Sequence, residues 1–421
     1  MAGALDDVTV LEIASWVAGP SCAALMADMG AEVVKVEPLT GDGMRGKLRQ
    51  PSTPAGVAEH DVPFQLDNRG KRSVAVDLTT EAGATLVQEM ATGADVVVTN
   101  LLPVRLARYG LGPEALCAAD PRLVYALVTG YGSEGPDADR AAFDLTAFFA
   151  RAGIMSLVGE PGAPPPGFRP GQGDHPTGLA LLAGVLAALR HRDRTGEGQV
   201  VETALLHTGA WTIGCDVQVA LVDRAQPTKR ARADSFSPLN TRYRCADDVW
   251  INLSAHSVGL WPAFCVAVDR PDLATDERFA TPAGRYRHRG ELIGVLDVLF
   301  ASAPVDHWGP LLDGAGIAWA PVAELPDLVD DPQARANGMF AQVEHPELGT
   351  FETLAAPFTM SRAEVAVRGP APALGQHTDE VLGRFGIAAD RIEALHESGV
   401  IAGADAGEVE AGRSRRGAHR P

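Results

Sequence analysis

No stretch of this 421-residue sequence is apolar for long enough to cross a bilayer. The longest run, LALLAGVLAAL at 179–189, falls far short of the roughly 20 residues a spanning helix needs. Cysteine is sparse and scattered (Cys22, Cys117, Cys215, Cys245, Cys265), with no C-x-x-C pair and no neighbouring histidine cluster, which argues against structural zinc and a disulfide framework. Lysine occurs only at positions 35, 47, 71 and 229, so nearly all positive charge is arginine. The net charge of −18 excludes the broad basic face that nucleic-acid binding requires, and an anionic ligand would need a locally basic pocket. The opening MAGALDDVTVLEIA has no basic region ahead of an apolar core, so no signal peptide is expected. These absences predict a cytoplasmic enzyme with reduced thiols and no membrane or nucleic-acid partner.

Several catalytic signatures are missing too. The turn after the first apolar run reads SWVAGPS, with one glycine and a proline where G-x-G-x-x-G needs three glycines. Glu37 stands where a ribose-binding acid could sit, but without those glycines a pyrophosphate has no close approach. There is no P-loop, H-E-x-x-H or G-x-S-x-G.

What is present is a regular alternation. VTVLEI (8–13), EVVKVE (32–37), RSVAVDL (72–78), DVVVTN (95–100) and LVYALVTG (123–130) read as buried strands separated by helical segments. That pattern predicts an α/β fold built on a doubly wound, Rossmann-like parallel sheet, with ligand beyond the carboxyl ends of the strands. A helix is expected from Pro176 to about Arg190, followed by a further helical segment through Thr212. The polar stretch PTKRARADSFSPLN suggests a boundary. The expected division is a large domain over 1–226, a smaller α+β domain over 227–325, and a segment over 326–401 returning to the first. The last residues, 402–421, have too little to bury and are expected to be disordered.

One short stretch raises a chemical question. GQGDHPTG (171–178) places a lone Asp174 between glycines at the mouth of the long apolar segment. As a helix cap, Asp174 would satisfy orphan N–H groups, with Pro176 in the first turn. As a nucleophile, it would be held ionised by the helix N-terminus, with glycines leaving room for an electrophile such as a thioester. His175 beside it fits packing or capping better than general-base work. The stretch alone leaves both readings of Asp174 open.

Seven ordered motifs decide between them. They include VLEIASWVAGPSCAALMADMGAEVVKVEPLTGD (10–42), NRGKRSVAVDLTTEAG (68–83), ADVVVTNLLPVRLARYGLGPEAL (94–116) and DPRLVYALVTGYGSEGP (120–136). GDHPTGLALLAGVLAALRHRDRTGEGQVVETALL (173–206), DDPQARANGMF (330–340) and LGQHTDEVL (374–382) complete them. Together the chain resembles the class III CoA-transferases, which include formyl-CoA and carnitine CoA-transferases and the α-methylacyl-CoA racemases. The resemblance implies that Asp174 is the nucleophile and that coenzyme A or acyl-CoA is a substrate, with no metal. It implies CoA-lining positions at Val17 and Ala18, at Val76, Asp77 and Leu78, at Asn100, Leu101 and Leu102, and at Arg108, Phe143 and Asp144. It also implies an interlocked homodimer, with an acyl-CoA donor and a carboxylic acid acceptor as partners.

Three departures from that pattern stand out. Pro38 and Thr79 occupy positions where formyl-CoA transferase has arginine and lysine, leaving Arg45, Lys71 or Arg72 as candidate replacements. DSFSPLN (234–240) stands where that enzyme has a tetraglycine loop. Phe143 stands where the racemases have a histidine, and racemisation needs a second base. The sequence is therefore expected to encode an acyl-CoA:carboxylate CoA-transferase. The rival readings are a 2-methylacyl-CoA racemase or epimerase and a silent acyl-CoA-binding protein.

Overall fold

A computed structural model describes residues 2–46, 61–255 and 259–404. The chain divides into two compact units, one of residues 1–154, 167–219 and 336–421, the other of 155–166 and 220–335. The second unit starts before and ends after the 227–325 expected from composition, and it takes in the short 155–166 segment as well.

The first unit is built on β1 (Thr9–Ile13), β2 (Glu32–Glu37), β3 (Arg72–Val76), β4 (Val96–Thr99), β5 (Val124–Thr129) and β6 (Val200–Ala204). The second contributes β7 (Arg242–Arg244), β8 (Trp250–Ser254) and β9 (Ala318–Pro321). The returning segment adds a hairpin, β10 (Phe340–His345) and β11 (Gly349–Leu354), and a two-residue strand, β12 (Ile401–Ala402). The large sheet has the order β12-β3-β2-β1-β4-β5-β6 and is parallel except for β12, which pairs antiparallel with β3. Its six parallel strands have the 3-2-1-4-5-6 order of a doubly wound dinucleotide-type sheet. The expected fold class therefore holds.

β6 was not expected. Its residues alternate between exposed and half-buried, as on a sheet edge, and its apolar side chains run directly into the helix Leu205–Thr212. The helical segment expected through Thr212 is the helix Leu205–Thr212 that follows this strand.

Alternation of side chains across each central strand makes two cores. Leu11, Val97, Tyr125 and Leu127 face one side, packed by Leu86, Val87 and Met90 of the helix Glu81–Ala91 and by Val381 and Leu382 of the returning segment. Val10, Val96, Val98, Val124 and Ala126 face the other, covered by the helices Ala18–Asp28 and Asp174–Thr195. In the small unit, β7-β8-β9 form an antiparallel sheet packed on Trp261, Phe264, Leu292, Leu296 and Phe300. Among the described residues, no helix is long and apolar enough to cross a membrane.

Candidate active site

The sheet order reverses between β1 and β4, and a crevice opens there beyond the strand ends. Two side-chain hydrogen bonds lock the rim. Ser15 N donates to Asn100 Oδ1 at 3.0 Å, and Asn100 Nδ2 donates to Ser15 O at 2.6 Å. A cavity of about 290 Å³ follows, walled by Ser15, Trp16 and Ala18 after β1, by Asn100, Leu101, Leu102 and Arg105 after β4, and by Gly130 after β5. Phe143, Leu205 and Asp174 close it.

Asp174 is placed by its glycines. Gly171 takes a left-handed φ of +89°, and the helix Asp174–Thr195 then begins with Gly173 as its cap. A Cβ at Gly173 would lie 2.6 Å from Cγ of Phe148, so the ring packs directly against the cap. Four residues into the helix, a Cβ on Gly178 would lie 2.2 Å from Ser21 Oγ and 2.6 Å from Ala18 O. The long helix thus crosses the first helix at backbone contact. Asp174 is itself the first helical residue, and no side-chain capping bond is present. The capping alternative and the expected start at Pro176 are both corrected: Gly173 does the capping, and the Asp174 carboxyl is left facing the cavity.

A second carboxylate sits beside it. Asp144, only 2% exposed, leads into the π-helical turn Leu145–Arg151. It accepts from Leu145 N at 2.8 Å and, with its other oxygen, from Gly173 N at 3.1 Å. Burial pushes the Asp174 carboxyl from 3.8 up to about 7, and the Asp144 charge adds to the rise while His175 opposes it. The helix N-terminus, expected to hold the carboxyl ionised, is opposed by burial. A helix N-terminus contributes about 0.3–1 kcal/mol, whereas a rise of that size corresponds to about 4 kcal/mol.

His175 is turned to Asp67, with Nε2 3.0 Å from Asp67 Oδ1 and Nδ1 3.1 Å from Gly171 O. The Asp67 hydrogen bond holds its pKa above the ordinary histidine value, against burial. When protonated, it favours the Asp174 anion. Sequence reasoning missed Asp67, which lies 108 residues away and carries no local signal.

The other expected positions separate into two groups. Ala18, Asn100, Leu101, Leu102 and Phe143 wall the Asp174 cavity, and Asp144 buttresses Gly173 beneath it. Val17 is buried at the start of the first helix, next to the cavity wall. Val76, Asp77 and Leu78 lie at the end of β3, two strands from β1 and so about 10 Å along the same sheet edge. Val76 is fully buried, and Asp77 accepts from Thr79 N and Oγ1. Arg108 is exposed, 5.9 Å over the Tyr109 ring, and is not among the cavity residues. Arg105, three residues earlier on the helix Pro103–Tyr109, is. The spacing along that helix was the available signal for it.

None of the three replacement cations stands free. Arg45 forms a two-pronged pair with Glu37, both contacts 2.7 Å, and Lys71 is buried against Glu12 at 2.6 Å and three backbone or amide oxygens. Arg72 pairs with Glu32 and Glu380. Glu37, occupied by Arg45 and Ser73, is equally unavailable to a ribose. DSFSPLN belongs to the small unit, where its residues 236–240 line a separate pocket with Trp261 and Arg285. Among the described residues no group of three metal-ligating side chains occurs.

Residues 5–378 match the family described as CoA-transferase family III. (R)-2-Hydroxy-4-methylpentanoate CoA-transferase of Clostridioides difficile is 32% identical over 398 residues, 94% of this chain and 99% of that one. Cinnamoyl-CoA:phenyllactate CoA-transferase of Clostridium sporogenes is 31% identical over 93% of this chain and 96% of its own. The crystal structure of a CAIB/BAIF family protein from Brucella suis superposes with a TM-score of 0.80 and 29% identity, covering 91% of this chain and all of that one.

Proposed function

Because the chain belongs to CoA-transferase family III and is thereby a CoA-transferase, we propose that it carries CoA from an acyl-CoA donor to a carboxylic acid acceptor as a thioester on Asp174. The observation that carries this reading is the placement of Asp174. It is an uncapped carboxyl at a helix start, in the wall of a cavity at the sheet's switch point.

In the first step an Asp174 oxygen attacks the donor's thioester carbon, the C–S bond breaks, and CoA leaves as thiolate, giving an aspartyl–acyl anhydride. The thiolate then attacks Cγ of Asp174 and expels the donor acid, leaving aspartyl-CoA. The acceptor carboxylate attacks the same Cγ and releases the thiolate. The thiolate takes the acyl carbon of the new anhydride and regenerates Asp174. Each step exchanges one activated acyl bond for another, so the thioester's energy is conserved. His175, whose pKa the Asp67 hydrogen bond raises, favours the Asp174 anion that begins and ends the cycle.

Racemisation is disfavoured by the same wall. Among the described residues lining the cavity, Asp174 is the only carboxylic acid and none is histidine. The second base would have to stand where Phe143 presents a ring that is 53% exposed. For the nucleotide, Val76, Asp77 and Leu78 continue the track along the sheet edge, and Arg105 and Arg108 supply cationic charge near its other end.

A homodimer belongs to this reading, with the reducing cytoplasm as its setting. It is supported by the helix Gly214–Asp223, which has no buried residue and exposes Val219, Leu221 and Val222, and by Trp211 at 86% exposure. Exposed apolar side chains gathered in one stretch of chain are of the kind an interface covers. Light scattering should give twice the 44.1 kDa chain mass; a monomer at micromolar concentration would contradict it.

The function is tested by isotopically labelled CoA transfer between two acids. Wild-type protein should move label, Asp174→Ala should not, and Asp174→Ala should still bind CoA. Full transfer by the variant would end the nucleophile assignment.

A further inference from the structure

The turn that carries Trp16 is strained, and a buried charge network holds it in that state. Trp16 has φ +71°, a left-handed conformation that a bulky side chain rarely adopts and glycine takes readily. Its N–H donates to Asp42 Oδ1 at 3.0 Å. The other oxygen of Asp42 meets the fully buried Lys35 ammonium at 2.8 Å, and Lys35 also donates to Glu12 at 2.7 Å and to Ala14 O at 2.9 Å. Asn100 clamps the neighbouring Ser15 at both N and O. A Cβ on Gly43 would come within 2.9 Å of Cε2 and Cζ2 of the indole, so glycine there leaves the ring its place.

The indole so fixed is only partly buried and faces the Asp174 cavity. Phe143 meets it edge to face, with ring centroids 5.3 Å apart and planes at 88°. The two rings form a right-angled corner. Around it the wall is apolar, with Leu101, Leu102, Val128 and Leu205, while Arg105 and Arg140 are exposed side chains.

We propose that Trp16 is the residue that selects the acyl group, and that the Trp16–Phe143 corner accepts an aryl-bearing acyl chain. The inference rests on the transferase reading above and deepens it. A tryptophan that served packing alone would be buried on relaxed backbone; here a glycine would suit the φ better, and the strain is retained by the bonds of Asp42, Lys35 and Asn100 to residues 14–16. Strain held in this way belongs to functional sites. A flat ring entering the corner stacks on one partner and meets the edge of the other, both favoured aromatic geometries.

The test compares phenylacetyl-CoA, butyryl-CoA and succinyl-CoA as donors to acetate. Wild type should prefer phenylacetyl-CoA in kcat/KM by roughly tenfold or more, as aromatic packing plus added buried area allows. Trp16→Gly should lose that preference, with kcat/KM falling at least tenfold further for phenylacetyl-CoA than for the other two donors. Trp16→Phe should keep most of the preference. An equal loss with all three donors, or a wild-type preference for butyryl- or succinyl-CoA, would overturn the inference. Binding of the three thioesters to Asp174→Asn protein, by calorimetry, reads the same ranking without turnover. Absence of transfer with every donor would thus count against the proposed function, whereas binding insensitive to the ring would count against Trp16.

Discussion

Asp144 accepts a hydrogen bond from Gly173 N at 3.1 Å, and this fixes its negative charge one residue ahead of the carboxyl of Asp174. Burial and that charge together raise the Asp174 pKa to about 7, near the value that lets a carboxyl serve as anion in one step and leaving group in another.

The pH profile follows. On the proposed mechanism Asp174 attacks only when ionised, so kcat/KM should fall about tenfold per unit below pH 7 and level off above it. Removing the Asp144 charge with Asp144→Asn should move the acid limb to lower pH. Initial rates from pH 5 to 9 decide it; a profile flat over that range would contradict the raised pKa.

His175 acts in the opposite direction, since its charge lowers the Asp174 pKa. His175→Ala should therefore shift the acid limb upward, and Asp67→Asn, which leaves the imidazole less basic, should do the same to a smaller extent. An unchanged limb in both variants would remove His175 from the electrostatics of the site.

Stability should show the same linkage with its sign fixed by the raised pKa. Below the unfolded value of about 4 both states hold the proton, and between 4 and 7 only the folded state does. The favourable contribution of the protonated carboxyl is therefore complete below pH 4. It declines by about 1.4 kcal/mol for each pH increment of one across that window, and it is lost once pH has risen through 7. Asp174→Asn should melt higher than wild type at pH 8 and match it near pH 4. An equal difference at both values would place the effect elsewhere.

Gly173 and Phe148 test the placement of the proposed nucleophile. A methyl at Gly173 collides with the Phe148 ring at 2.6 Å, and relieving such overpacking costs about 1–3 kcal/mol. Gly173→Ala should lose far more activity than stability, because Asp174 moves with the cap. Double substitution with Phe148→Ala should restore part of the activity.

Arg105 and Arg108 separate the cavity from its surroundings. Arg105→Ala should raise the KM for CoA thioesters by roughly tenfold, the lower end of a lost charge-assisted hydrogen bond. Arg108→Ala should have the smaller effect, since Arg108 is outside the cavity wall. The reverse order would return the phosphate contact to Arg108.

Much of this was readable before the structure. Five buried runs between 8 and 130 announced the parallel sheet, because central strands covered on both faces must be continuously apolar. β6 escaped because an edge strand covered on one face lacks that signature. Asp174 was visible through its flanking glycines and the family motif. Its charge state was not, since desolvation and the Asp144 neighbour arise only when residues 30 apart are folded together. The partners of Lys71, Arg45 and Arg72 were hidden for the same reason, and each cation turned out to be neutralised within the fold. The tail expected to be disordered over 402–421 starts in an ordered strand, because Ala402 of β12 pairs with Ala75, and residues 405–421 lie outside the described residues.

The covalent step can be seen directly. Wild-type protein incubated with an acyl-CoA donor and no acceptor, then quenched with hydroxylamine and digested, should carry a hydroxamate on Asp174 in mass spectrometry. The Asp174→Asn protein treated identically should carry none. A hydroxamate on any other residue, or no adduct from an enzyme that transfers CoA normally, would contradict an aspartyl-CoA intermediate at Asp174.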